Sequence, residues 1–149
     1  MFKVLQWNCR SLSRPKVTYL KSLVDKYIPD VLVICETWIS EEKNCFIEGY
    51  DMFFTVPSKH QGIAIISKRG SAVKFFKTED PCIIAINIKI DKNQIFVIGA
   101  YFQERRKREL LSKVNYFINR INRTYKNPNI ILAGDLNTNT NLKIEEIED

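Results

Sequence analysis

The stretch Asn129-Ile130-Ile131-Leu132-Ala133-Gly134-Asp135-Leu136-Asn137-Thr138-Asn139-Thr140 decides how the rest of the chain is interpreted. Its four consecutive apolar residues predict a strand buried on both faces. The strand leads into a glycine, a carboxylate and a run of amides and hydroxyls. An acid at the end of a buried strand can be held rigidly in a cleft, but the same residue types are also common in turns. The stretch alone leaves a functional site and a polar turn equally open.

The chain has the size and composition of one folded domain. It contains 149 residues, 45% of them hydrophobic, so a hydrophobic core can form and residues 1–149 are treated as a single domain. The formal net charge of +6 and a pI near 9.2 favour a polyanionic partner such as nucleic acid. Moderate basicity also aids solubility, so charge alone does not decide between these interpretations.

The cysteines and the chain start indicate an intracellular protein. Cys9, Cys35, Cys45 and Cys82 have neither zinc-ligand nor redox-motif spacing, so we expect reduced structural thiols. Residues 1–6 lack the apolar segment of a signal peptide. No apolar run approaches the roughly 20 residues that cross a bilayer, and we expect no membrane partner.

Apolar runs and helical periodicity alternate along the chain. A strand at residues 2–8 precedes a helix that begins near Pro15, has apolar residues at three- and four-residue steps, and ends at Pro29. Further strands are predicted at residues 31–35, 50–56, 62–68, 72–77, 84–90 and 94–101, and the apolar run at residues 130–133 predicts the last one. A second helix is predicted to open at Arg105 and to bury an apolar stripe that extends to Tyr125. Strands interspersed with helices are typical of a layered α/β fold.

Three of the predicted strands end in polar residues of a similar kind. The first ends at Asn8, the second at Glu36, and the third at Asp135 and Asn137. If the second and third strands lie in one sheet or in facing sheets, their acids converge. Glu36 is then a suitable oxygen ligand for Mg²⁺, and Asp135 could position or deprotonate a water. The two amides could hold ligand or phosphate oxygens.

Five short motifs then occur in an order that is specific to one superfamily. They are Leu5-Gln6-Trp7-Asn8, Cys35-Glu36-Thr37-Trp38, Gly62-Ile63-Ala64-Ile65-Ile66, Ala100-Tyr101 and Gly134-Asp135-Leu136-Asn137. In this order the chain resembles the endonuclease/exonuclease/phosphatase superfamily. The branch it resembles most is the apurinic-type endonuclease domain of non-LTR (LINE-like) retrotransposons, whose second motif often reads Glu-Thr-Trp.

The resemblance implies a four-layer α/β sandwich, two packed mixed sheets flanked by helices, of which this chain holds the N-terminal two-thirds. It also implies cleavage of DNA phosphodiesters that depends on Mg²⁺, with Mn²⁺ as a substitute. Carried over by position, Asn8 is an active-site amide and metal ligand, and Glu36 is the principal metal ligand. Tyr101 contacts phosphate, Asp135 orients or activates the attacking water, and Asn137 contacts the scissile phosphate.

Two departures from the family pattern stand out. Arg10 occupies a position where many apurinic endonucleases carry an acid; arginine can grip a phosphate but cannot bind Mg²⁺. This favours the retrotransposon branch over an abasic-site repair enzyme. The late Asp-His pair of the family is absent, and the single histidine, His60, matches no catalytic position.

We therefore expect a C-terminally truncated domain that exposes a sheet edge and apolar surface. Such a domain would retain the metal site but be weakly active or inactive, unless a partner chain or downstream domain completes it. Robust metal-dependent plasmid nicking by residues 1–149 would contradict this expectation.

A basic cluster precedes the second predicted helix. It consists of Arg105, Arg106, Lys107 and Arg108 and either lines a nucleic-acid path or is a solvated first helical turn. Because the helix dipole disfavours cations at this end, a functional purpose is mildly favoured.

Three functions remain open from the sequence. The leading one is a retrotransposon-type DNA endonuclease, which would act in the nucleus on genomic DNA. The second is a phosphatase or phosphodiesterase of the same superfamily that acts on small phosphoesters. The third is a catalytically dead remnant that only binds nucleic acid or a partner chain.

Overall fold

A computed structural model describes residues 1–39, 45–56, 61–76 and 78–137. The elements follow one another in the order β1 (Val4–Asn8), α1 (Arg14–Tyr27), β2 (Val31–Cys35), β3 (Tyr50–Phe54), β4 (Ile63–Lys68), β5 (Ala72–Phe76), β6 (Ile83–Ile90), β7 (Asn93–Tyr101), α2 (Lys107–Thr124) and β8 (Asn129–Asp135). A 3₁₀ turn at Glu104–Arg106 leads into α2. These bounds agree with the predicted elements to within a few residues.

The strands form two four-stranded mixed sheets. The first has the order β1-β2-β4-β3, in which β1 and β2 are parallel, and the second has the order β5-β6-β7-β8, in which β7 and β8 are parallel. Each parallel pair is connected through a helix, as parallel neighbours require. The carboxyl ends of β1, β2 and β8 therefore carry the residues that the sequence analysis singled out.

The core has three apolar layers that separate four layers of secondary structure. Between the sheets, Val33 and Ile65 of the first sheet belong to one cluster with Ile86 and Val97 of the second. Helix α1 buries Leu20 against the outer face of the first sheet, and α2 packs in the same way on the second. The four-layer α/β sandwich is confirmed.

The prediction that the strand beginning at Asn129 is buried on both faces is wrong. Of the residues of β8, only Gly134 is fully buried, and Ile130 and Leu132 are half-buried. The physical reason is position: β8 lies at the end of its sheet and, among the described residues, pairs with β7 alone. β1 is likewise the end strand of the first sheet, so each sheet has an edge on this side.

Gly134 is the residue that lets β8 approach β7 closely at the site. Its φ is +137°, and a Cβ there would lie 1.9 Å from the carbonyl oxygen of Ala100, on the neighbouring strand. That oxygen belongs to backbone and cannot move away. Any side chain at this position would push the end of β8, and Asp135 with it, away from β7.

Gly134→Ala is expected to lower the free energy of unfolding by about 3 kcal/mol, because it combines an unfavourable φ with a backbone clash. Gly70→Ala is the matched control, since Gly70 has φ +74° but open space around it, and should cost only about 1 kcal/mol. Urea unfolding of both variants measures the difference. Equal losses would show that the clash is relieved without cost.

Candidate active site

The site is built around one amide that joins the two sheets. Asn8, at the end of β1, donates from Nδ2 to Oε1 of Glu36 and to Oδ2 of Asp135, both at 2.8 Å. Glu36 follows β2 of the first sheet, whereas Asp135 ends β8 of the second. The predicted convergence of the two acids is therefore present, and it occurs between facing sheets.

Glu36 is held by the backbone on both sides. Its carbonyl oxygen accepts from the N–H of Ser11 at 2.7 Å, and the next N–H, of Thr37, donates to Gly62 at 3.2 Å. Glu36 has φ +55°, a left-handed conformation that costs a residue with a side chain on the order of 1 kcal/mol. The surrounding hydrogen bonds hold this bend, which turns the carboxylate out of the strand direction and toward Asn8.

Asp135 is fixed at both carboxylate oxygens and along its backbone. Its second oxygen, Oδ1, accepts from the N–H of Asn137 at 3.0 Å, and its own N–H donates to Sγ of Cys35 at 3.3 Å. The side chain of Asn137 donates to the carbonyl of Phe102 at 2.6 Å. Asn137 thus ties the ends of β7 and β8 together and faces solvent beside the carboxylate.

Tyr101 lies opposite Asp135 in the β7–β8 register, with its hydroxyl hydrogen-bonded to Glu36. Burial, and then the negative charges of Glu36 and Asp135, raise the pKa of Tyr101 to about 12. The phenol therefore remains neutral and a hydrogen-bond donor at any physiological pH. The structure thus brings Tyr101 together with Asn8, Glu36 and Asp135.

The donor set of this site suits a hard divalent cation. Two carboxylates converge on a single electropositive group, the amide nitrogen of Asn8, so their arrangement already favours positive charge between them. Mg²⁺ commonly binds through one or two carboxylates and keeps several waters. No cluster of three or more acidic, histidine or cysteine ligands occurs in the described ranges. Glu36 and Asp135 fit as ligands of such an ion. Asn8 could bind the ion only if its side chain turned, because its Oδ1 now accepts from the N–H of Arg10 at 3.3 Å.

Gln6 is a residue of this site that the sequence analysis missed. Its Oε1 accepts the N–H of Gly134 at 2.9 Å, a second hydrogen bond between β1 and β8 that lies directly before Asp135. Gln6 and Asn8 are two residues apart on a strand, so their side chains point to the same side. This two-residue spacing of amides in the sequence was the signal that could have placed Gln6 at the site.

Replacing Gln6 by leucine should leave the buried N–H of Gly134 unpaired and reduce stability by about 1–2 kcal/mol. Gln6→Glu keeps an acceptor oxygen and should retain the Gly134 hydrogen bond. Amide hydrogen exchange at Gly134, read by NMR, and urea unfolding measure both effects. Gln94→Leu, at an exposed glutamine without a described side-chain hydrogen bond, controls for the change of residue type. Unchanged protection of Gly134 in Gln6→Leu would contradict the assignment.

The four residues of the basic cluster differ in their surroundings. Arg106 donates to Oδ2 of buried Asp80 at 2.6 Å and to Glu109 at 2.8 Å, and Lys107 pairs with Glu104 at 3.1 Å. These acids offset the unfavourable position of cations at a helix start, so the dipole argument for a functional purpose does not apply to Arg106 and Lys107. The other two, Arg105 and Arg108, are exposed and form no ion pair within the described residues.

Asp80 anchors α2 to the loop before β6. It also accepts from Lys113 at 2.7 Å and from the N–H of Cys82 at 3.0 Å. Burial alone would raise the pKa of Asp80, but the hydrogen bonds from Arg106 and Lys113 outweigh it and lower the pKa to about 2. The ionised form therefore stabilises the fold above pH 4, and this stabilisation is lost as the pH falls from about 4 to about 2.

Asp80→Asn should lower the free energy of unfolding at neutral pH by about 2 kcal/mol, because it leaves two cations without their buried partner. The deficit relative to the unmodified chain should shrink as the pH falls toward 2. Urea unfolding between pH 2 and pH 7 measures it. Glu109→Gln, at an exposed partner of the same arginine, should cost much less, because solvent screens an exposed ion pair. A pH-independent deficit for Asp80→Asn would contradict the assignment.

Comparison with known families matches residues 5–142 to the Endonuclease/Exonuclease/phosphatase family. The chain belongs to this family. The match includes Asn8, Glu36, Tyr101, Asp135 and Asn137, and therefore every residue of the site. A comparison with curated protein sequences finds no match.

Solved structures share this fold at low sequence identity. The 3′ phosphatase NExo from Neisseria, bound to a product DNA hairpin, superposes with a TM-score of 0.72 at 18% identity over 90% of this chain and 57% of that one. An AP endonuclease from Archaeoglobus fulgidus gives 0.65 at 21% over 93% and 58%. Truncated TDP2 from Caenorhabditis elegans gives 0.66 at 14% over 93% and 63%. The chain thus spans about three-fifths of the length of these solved structures.

The remaining sequence expectations concern the cysteines, membrane spans and His60. All four cysteines are free thiols, and burial raises the pKa of Cys9 to about 11 and that of Cys35 to about 12. None of the described helices is long and apolar enough to cross a membrane. His60 and the residues after Asn137 lie outside the described residues.

Proposed function

We propose that the chain is the catalytic part of a divalent-metal-dependent phosphodiester hydrolase that cleaves DNA. The observation that carries the proposal is the bridging of Glu36 and Asp135 by Asn8. Two acids and an amide brought together from three strand ends carry a desolvation cost that a hydrophobic contact would avoid, so their presence favours a role other than stability. Clustered acids and amides beside a tyrosine of raised pKa, here Tyr101, are typical of catalytic sites.

Each residue has a distinct task in this mechanism. Asp135, oriented through both oxygens by Asn8 and Asn137, accepts the proton of the water that attacks phosphorus. Glu36, with Asp135 beside it, would hold Mg²⁺ or Mn²⁺, and the bound ion would neutralise charge on the phosphate. Tyr101 remains neutral and presents its proton to a phosphate oxygen or to Glu36. Asn8 keeps the two carboxylates at a fixed separation.

Three features favour DNA as the substrate. The chain has a net charge of +6. Arg10 follows Asn8 by two residues and is exposed, so it can reach a phosphate. Arg105 and Arg108 are exposed where β7 leads into α2, on the same side as the site. We assign Arg10, Arg105 and Arg108 to phosphate contacts, and Arg106 and Lys107 to the fold.

Within DNA cleavage, we favour an endonuclease of the non-LTR retrotransposon type. The motif Glu36-Thr37-Trp38 supports it, as does Arg10 at a position that is acidic in many repair enzymes. The segment is held in one conformation, since Thr37 and Trp38 both donate backbone hydrogen bonds to the residues before β4. An endonuclease cleaves phosphodiesters within a strand and does not require a strand end.

Nicking of supercoiled plasmid tests the proposal. The unmodified chain should nick slowly in Mg²⁺ or Mn²⁺ and not in EDTA, and Glu36→Gln and Asp135→Asn should each lower this slow rate by about a hundredfold or more. Mg²⁺ should also raise the melting temperature of the unmodified chain, because the ion binds the folded state only. It should not raise the melting temperature of Glu36→Gln, because this variant lacks the carboxylate that would hold the ion.

Lys21→Gln, at an exposed lysine of α1, is the control for loss of one charge and should nick at the unmodified rate. Hydrolysis of inositol phosphates without DNA nicking would replace the proposal by a small-phosphoester phosphatase. If the chain binds DNA without cleaving it, and Mg²⁺ does not shift its melting temperature, the proposal would be replaced by a catalytically dead domain that only binds nucleic acid.

A further inference from the structure

A basic groove lies on the outer side of the molecule where α2 passes the edge strand β5. It is defined here by Lys74, Tyr116, Arg120 and Arg123 and is called the α2–β5 groove. Two adjoining depressions form it, one of about 290 Å³ that includes Tyr116, Arg120 and Arg123, and one of about 60 Å³ that includes Lys74 and Arg120. Arg120 lines both depressions, so the surface is continuous.

The charge of this groove is uniformly positive. Residues 110–134 contain no aspartate or glutamate but include Arg120, Arg123 and two lysines, and β5 carries Lys74 without an acid. In the part of the chain that the structure describes, none of Lys74, Arg120 and Arg123 forms an ion pair. The negative end of the α2 dipole would stabilise Arg123, but it does not account for Lys74 on a different element.

An exposed aromatic ring accompanies the cations. Tyr116 is 66% exposed, and it precedes Arg120 and Arg123 by four and seven residues, so all three lie on one face of α2. Two asparagines, Asn115 and Asn119, flank Tyr116 and are exposed as well. Proteins bind single-stranded nucleic acid with cations that contact the phosphates and with aromatic rings on which the bases stack. This surface offers both.

The groove is separate from the proposed active site. Helix α2 begins near the end of β7 and runs back along the second sheet, so Arg120 lies about 20 Å further along the helix axis than Lys107. None of the site residues lines the groove. A nucleic-acid strand bound there would be a segment remote from any bond that is cleaved.

We infer that the α2–β5 groove binds single-stranded nucleic acid, with phosphates on Arg120, Arg123 and Lys74 and a base stacked on Tyr116. The inference goes beyond the proposed hydrolysis and does not require it, because binding is measurable in a variant without catalytic carboxylates. Combined with the proposed function, the groove would retain an unpaired strand that flanks the cleavage position.

The test is fluorescence anisotropy with a labelled, mixed-sequence single strand of about 20 nucleotides, in the Glu36→Gln background and in EDTA. The double variant Arg120→Gln/Arg123→Gln should weaken binding about tenfold near physiological salt. The slope of log K against log salt should fall by about 1.4, since each phosphate contact on a single strand contributes about 0.7. Tyr116→Ala should weaken binding about fivefold or more with the slope unchanged.

The charge-matched control is Lys21→Gln/Lys26→Gln, which removes two exposed lysines from α1. It should bind within about twofold of the parent, because it lies on the opposite outer layer. An equal loss in both double variants would reduce the effect to net charge and overturn the inference. Unchanged binding by Tyr116→Ala, or heparin competing as well as the single strand, would overturn the assignment to single-stranded nucleic acid. Plasmid nicking is scored separately, so failure of the proposed hydrolysis and failure of the groove are distinguishable.

Discussion

The hydrogen bonds that cross from β1 to β8 are the constraint on which the site depends. Asn8 and Gln6 are two amides on one strand, and they contact Asp135 and Gly134, two successive residues at the end of a strand in the other sheet. The cluster that fills the space between the sheets is apolar, and apolar contacts fix a separation but not a register. The directional bonds supply that register where chemistry requires it, and Gly134 permits it because no other residue fits beneath the Ala100 carbonyl.

The same region concentrates unfavourable backbone conformations. Left-handed φ values occur at Arg10, Glu36, Trp38 and Asn137, all in the segments that follow β1, β2 and β8. Asparagine tolerates this conformation, but arginine, glutamate and tryptophan do so at a cost on the order of 1 kcal/mol each. Ile28, Asp91 and Asn127 are left-handed as well, so the cost is concentrated near the site but not confined to it. A fold selected for stability alone would place glycine or asparagine at position 36.

The fold could be predicted from the sequence wherever a strand or helix buries its apolar residues locally. The period of two in β6 and the amphipathic stripe of α2 gave bounds within a few residues of those observed. The partial exposure of β8 could not be predicted, because an unbroken apolar run looks the same at the centre of a sheet and at its edge. Glu36 and Asp135 were identified because both end apolar strands, whereas Gln6 lies inside a strand and acts through a main-chain N–H. Such a contact depends on tertiary approach, and its trace in the sequence is the two-residue spacing of the amides Gln6 and Asn8.

Charge is the property for which sequence position was least informative. Four adjacent basic residues gave one prediction, yet Arg106 neutralises buried Asp80 while Arg105, its immediate neighbour, is exposed. The determinant is Asp80, 26 residues earlier, which the fold brings beneath the start of α2. Conversely, Lys74 and Arg120 are far apart in sequence and adjoin in space. A basic residue can be assigned to nucleic acid only after the acids that the fold places around it are known, and by that criterion the cations of the α2–β5 groove are better candidates than Arg106.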